Sequence, residues 1–127
     1  MEFATKIAFI AVGGAAGAVA RHLVNISPLK DIPGGFPYPT FTVNVLGSFL
    51  IGVGFIVFAD HIEISEGLRF GLLVGFLGAF TTFSTFELEI WSLVKAENYL
   101  LAFLYVLLSV VTGFIAFLFG VFLARKI

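Results

Sequence analysis

Residues 75–86 read GFLGAFTTFSTF, a run in which Gly75 and Gly78 give way to Thr81, Thr82, Ser84 and Thr85, with phenylalanines interleaved throughout. It closes a stretch without charge, residues 70–86, that is otherwise apolar enough to enter a bilayer. Glycine is costly in a helix interior, and Ser and Thr compete for backbone hydrogen bonds. The run therefore predicts a break near residues 78–82. Non-helical backbone at membrane depth is tolerated only where protein buries it or where it lines a cavity or an ion site. Carbonyls freed there suit a small cation.

Composition carries the membrane assignment outward to the rest of the chain. Of 127 residues, 60% are hydrophobic and 12% charged, and a soluble domain of this size has no interior large enough for that much apolar surface. Seven Lys and Arg against eight Asp and Glu give a net charge of -1, so nothing points to nucleic acid or to a polybasic surface anchor. The absence of cysteine excludes disulfides, thiol catalysis and thiolate metal sites. The N-terminal MEFATKIAFIAVGGAAGAVARH lacks a clear cleavage site and reads as a retained span, not a signal peptide.

Charge-free runs at 7–20, 41–59, 70–86 and 98–124 predict an all-α membrane protein of four helices, with spans at about 4–25, 39–60, 67–94 and 98–124 in a single transmembrane domain. The first must extend past Lys6 and Arg21, whose long side chains can snorkel to the interface. Residues 27–39 (SPLKDIPGGFPYP) form the one long loop, since their prolines forbid continuous helix. Lys6, Arg69, Arg125 and Lys126 fall on one side against Arg21, Lys30 and Lys95 on the other. The positive-inside rule needs an excess to set orientation, and four against three supplies almost none. Insertion both ways round, and with it an antiparallel homodimer, follows as an expectation. Gly13 with Gly17 and Gly71 with Gly75 are G-x-x-x-G pairs, continued by Gly113 and Gly120, and these predict close helix contact.

Function is sought in polar groups that hydrocarbon normally rejects. Asn44, Ser48 and Gly52 follow at four-residue steps and share one helix face, fit either for an interhelical hydrogen bond or for a pore. Tyr105, Ser109 and Thr112 set a hydroxyl stripe along the last span, which reads either as back-bonding to the helix or as a polar track. Phe83 and Phe86 stand three apart, so their rings share a face. The positive edges of such rings can receive a small anion. Glu87 and Glu89 follow as carboxylates at a helix end, and Arg21 is either a snorkelling flank or an anion ligand.

Three blocks, GGAAGAVAR (13–21), TFTVNVLGSFLIG (40–52) and GFLGAFTTFSTF (75–86), make the whole chain resemble the Fluc, or CrcB, family of fluoride channels. The resemblance implies a dual-topology antiparallel dimer in the cell (inner) membrane, with two pores each lined by both subunits. It implies a structural sodium ion at the dimer centre, held by backbone carbonyls of Gly78 and Thr81. It assigns Phe83 and Phe86 to a phenylalanine box, Asn44 to a pore asparagine, and Tyr105 with Ser109 to a polar track. Ser84, Thr85, Thr40 and Glu89 fall on positions associated with the anion path, and Arg21 on a vestibule contact. Ala79 stands where a second glycine is usual, His22 where Tyr is common, and Glu87 where a small polar residue is usual. The first would tighten the break, and the other two leave the implied function intact.

The expected function is therefore passive, fluoride-selective export conferring fluoride resistance, not enzymatic turnover. The sequence shows no metal-ligand cluster, nucleophile–base pair or phosphate-binding loop. The alternative is a proton-coupled antiporter of the small multidrug resistance type, which needs a carboxylate buried in the first span. None lies between Lys6 and Arg21. A structural or assembly subunit, with Asn44 and the hydroxyl stripe as packing glue, is the third reading.

Overall fold

A computed structural model describes residues 2–127, and every regular element among them is helical. Helix α1 (Phe3–Asn25) carries past both Lys6 and Arg21. A 3-10 turn at Pro28–Asp31 opens the loop, and α2 (Tyr38–Ile56) begins with Pro39 in its first turn, where the missing amide hydrogen costs nothing. The loop thus ends at Pro37, earlier than the prolines alone imply. A π turn, Val57–His61, extends α2 and is closed by the Ile62 amide donating to the Val57 carbonyl at 2.9 Å.

The third apolar stretch starts at α3 (Glu66–Phe70), where Ser65 Oγ accepts from the Leu68 amide at 3.1 Å as an N-cap. It widens to π-helix over Gly71–Leu77 and returns to α geometry in α4 (Gly78–Phe80). Thr81 is extended, with φ -82° and ψ 158°, and α5 (Ser84–Lys95) resumes after it. Helix α6 (Tyr99–Arg125) completes the chain. The four helical stretches, Phe3–Asp31, Tyr38–His61, Glu66–Lys95 and Tyr99–Arg125, are each long and apolar enough to cross a membrane.

They pack as two pairs, α1 against α3, the π segment and α4, and α2 against α6. Glycine sets both contacts. A side chain at Gly13 or Gly17 would run into the carbonyls of Gly71 and Phe76, and one at Gly75 would meet the Ile10 carbonyl. The two G-x-x-x-G pairs therefore face one another, and backbone touches backbone. Gly52 and Gly120 do the same for α2 and α6, against the carbonyls of Phe117 and Phe49. At one end Lys6 pairs with Glu66 at 2.5 Å, tying α1 to α3. The seam between the two helix pairs is where polar residues collect.

Candidate functional site

Asn44, carried on α2, reaches across this seam to the non-helical residues that follow α4. Its Nδ2 donates to the Thr82 carbonyl at 3.0 Å, and its Oδ1 accepts from the Thr82 amide at 2.8 Å. Both backbone polar groups of one residue, Thr82, are thereby satisfied by a single side chain 38 residues away. The Thr82 amide is the donor that a continuous helix would give to the Gly78 carbonyl. In the same way the Thr85 amide, which would serve the Thr81 carbonyl, goes to Thr82 Oγ1 at 3.3 Å. Gly78 and Thr81 therefore each present a carbonyl deprived of its helical donor. Thr81 Oγ1 turns back onto the Leu77 carbonyl at 3.0 Å, and Arg21 Nε donates to the Ala79 carbonyl at 3.1 Å. The Arg21 guanidinium thus reaches the residue beside Gly78, instead of only flanking α1.

A cleft of about 350 Å³ opens on this region. Asn44, Ser48, Gly78, Thr81, Phe83, Phe86 and Ser109 line it, together with Thr82. Ser109 Oγ is buried without a hydrogen-bond partner among the described residues, an unsatisfied hydroxyl on the cleft wall. Ser48 Oγ instead donates to the Asn44 carbonyl at 2.7 Å. The Phe83 and Phe86 ring centroids lie 6.1 Å apart. Phe83 is 73% exposed and Phe86 only 7%, so the pair presents one free ring and one held ring.

Beside the cleft, behind Phe86, lies a second polar group. Tyr105 is fully buried, and its hydroxyl stands 3.5 Å from Glu89 Oε1, a long contact that orients more than it binds. The buried hydroxyl of Thr40 sits against both. Of the hydroxyl stripe on α6, Ser109 faces the cleft, Tyr105 belongs to the Glu89 group, and Thr112 is half-buried and lines neither. Ser84 is exposed and Thr85 half-buried at the start of α5. Sequence placed Thr82 at the end of the expected break but gave it no role in the site, because it acts mainly through its backbone and no side-chain pattern encodes that.

Four membrane-crossing helices, with their polar groups gathered into an intramembrane cleft flanked by aromatic rings, define a small multi-pass membrane protein of the transport type. The chain belongs to the CrcB family: residues 8–121 match the family model described as CrcB-like protein, Camphor Resistance (CrcB). A protein of Hahella chejuensis named Fluoride-specific ion channel FluC is 42% identical over 122 residues, covering 95% of each chain. Proteins of the same name from Caulobacter vibrioides and Phocaeicola vulgatus are 41% and 39% identical, covering 96% and 94% of this chain and 97% and 98% of their own. Membership of this family removes the proton-coupled antiporter reading.

Proposed function

We propose that this chain forms a passive, fluoride-selective channel that exports fluoride from the cytoplasm and so confers fluoride resistance. The observation that carries the reading is the cleft itself, where an unsatisfied Ser109 hydroxyl, the Asn44 amide and the rings of Phe83 and Phe86 converge. Fluoride is small and strongly hydrated, so each water it sheds must be replaced by a donor or a positive ring edge. Ser84, Thr85 and the group of Thr40, Glu89 and Tyr105 extend that polar path along α5 and α6. An inside-negative potential of about 100 mV drives an anion outward with about 2.3 kcal/mol per charge.

In this proposal the working unit is an antiparallel, dual-topology homodimer in which the third span is broken mid-membrane and each pore is lined by both subunits. Supporting it are the near-even distribution of positive charge and a polar cleft that hydrocarbon cannot cover. A sodium ion at the dimer centre fits the donor set, because the Gly78 and Thr81 carbonyls are hard oxygen ligands that have lost their amide partners to Asn44 and Thr82. Bound there, it would supply the positive charge that lets these carbonyls meet their symmetry mates. Arg21, bonded to Ala79, adds positive charge on the same side of the chain.

The test is fluoride efflux from liposomes holding purified protein, read with a fluoride electrode. Wild-type protein should pass fluoride and reject chloride. Phe83→Ile keeps an apolar side chain while removing the polarised edge, and because Phe83 is so exposed the change should leave the fold intact. Efflux should then fall about tenfold or more, the scale expected when one well-placed contact of about 1.4 kcal/mol is lost. Wild-type rates in both Phe83→Ile and Phe86→Ile would reduce the rings to packing.

A further inference from the structure

We propose that Phe36, on the loop between α1 and α2, is a positioning residue for the anion path, holding the Tyr105 ring so that its hydroxyl faces Glu89. The proposal rests on the reading of Tyr105 as part of that path. Two rings grip Tyr105 edge-on: Phe86 at 4.9 Å and 71°, and Phe36 at 5.3 Å and 78°. Only the first belongs to the phenylalanine motif. The second comes from a loop that the polar path otherwise does not use.

The loop is shaped to deliver this ring. Gly34 and Gly35 both have positive φ, 114° and 82°, which turns the chain back toward the bundle in a conformation other residues rarely adopt. The Tyr38 amide then donates to the Phe36 carbonyl at 2.9 Å across Pro37, an inverse γ-turn that fixes the direction in which the ring leaves the backbone. Phe36 also contacts Tyr38 at 4.8 Å and Phe41 at 5.2 Å, so it is braced from the start of α2. Tyr105 has no exposed surface, and ring tilt is the freedom left to its hydroxyl. The 3.5 Å contact with Glu89 is long enough that a small tilt would lose it. The chain of contacts Phe83–Phe86–Tyr105–Phe36 thus runs from the cleft to the loop.

A double-mutant cycle in fluoride-loaded liposomes tests this, using wild type, Phe36→Ala, Tyr105→Phe and the double variant, with Phe36→Leu as a volume-preserving second probe should Phe36→Ala fail to assemble. Phe36→Ala or Phe36→Leu should slow fluoride efflux about three- to tenfold, and neither should slow it further once Tyr105 has lost its hydroxyl. The Tyr105 ring-carbon resonance, in protein labelled at tyrosine Cζ and assigned by its loss in Tyr105→Phe, should shift in the Phe36 variants. Wild-type efflux with an unmoved resonance overturns the proposal, as does equal slowing in both backgrounds. If wild-type protein passes no fluoride at all, the channel reading fails instead, and the resonance alone decides whether Phe36 positions Tyr105.

Discussion

Asn44 shows how much one side chain does in this molecule. Amide groups inside a bilayer are expensive unless paired, and the pair it makes with Thr82 satisfies four hydrogen-bonding groups with two bonds, at 3.0 Å and 2.8 Å. One Nδ2 hydrogen remains to face the cleft. The same residue therefore releases the Gly78 carbonyl and, in the proposed pore, would offer a donor to the anion. Asn44→Ala would leave the Thr82 amide and carbonyl without partners, at a cost of about 1–3 kcal/mol. Reversible unfolding in mixed micelles should show that loss together with lost efflux. Were efflux abolished with stability unchanged, Asn44 would be an ion ligand only and its bracing role would be wrong.

Among the elements, the contact between α1 and the third helical stretch depends on the absence of side chains. At Gly17 a Cβ would overlap the Phe76 carbonyl and crowd its Cα, both backbone atoms that cannot move aside without separating the helices. At Gly14, three residues earlier, the nearest atom to a Cβ is the Gly75 oxygen at 3.8 Å, an ordinary contact. Gly17→Ala should accordingly cost about 1–3 kcal/mol, while Gly14→Ala should be neutral or slightly stabilising through helix propensity. Thermal unfolding of the two variants side by side checks the pair, and equal midpoints would mean that the helices do not approach this closely. The π-helical Gly71–Leu77 lies on the same contact, and its wider turn leads directly into the residues that Asn44 braces.

At the scale of the whole molecule, a single copy leaves its polar cleft open and the ring of Phe83 exposed, within a stretch long and apolar enough to cross a membrane. That arrangement requires a cover of matching chemistry, and in the proposed dimer a second copy supplies it. Gly78 is the discriminating position, since no atom lies within 4 Å of where its Cβ would stand. Gly78→Leu should therefore fit the single chain, preserving helical content by circular dichroism, yet prevent pairing as read by cross-linking in membranes. A fully formed Gly78→Leu dimer would remove the central cation from the proposed geometry.

Sequence alone determined the four membrane-crossing stretches, because the bilayer demands an uninterrupted apolar length and the chain spends nearly all its residues meeting it. It also located the polar motifs, since Thr, Ser and Asn in such stretches are conspicuous against hydrocarbon, and through those motifs it pointed to the family. Periodicity named the faces of α2 and α6 but not what each would meet. The pairing of Asn44 with Thr82, the reach of Arg21 to Ala79, the division of the α6 hydroxyls between two groups and the Phe36 grip on Tyr105 were decided by tertiary structure. Each joins residues on different elements, and two of the four end on backbone atoms, which carry no residue-specific signal. Only the packing of the two glycine-matched helix pairs brings them within hydrogen-bonding or ring-contact distance.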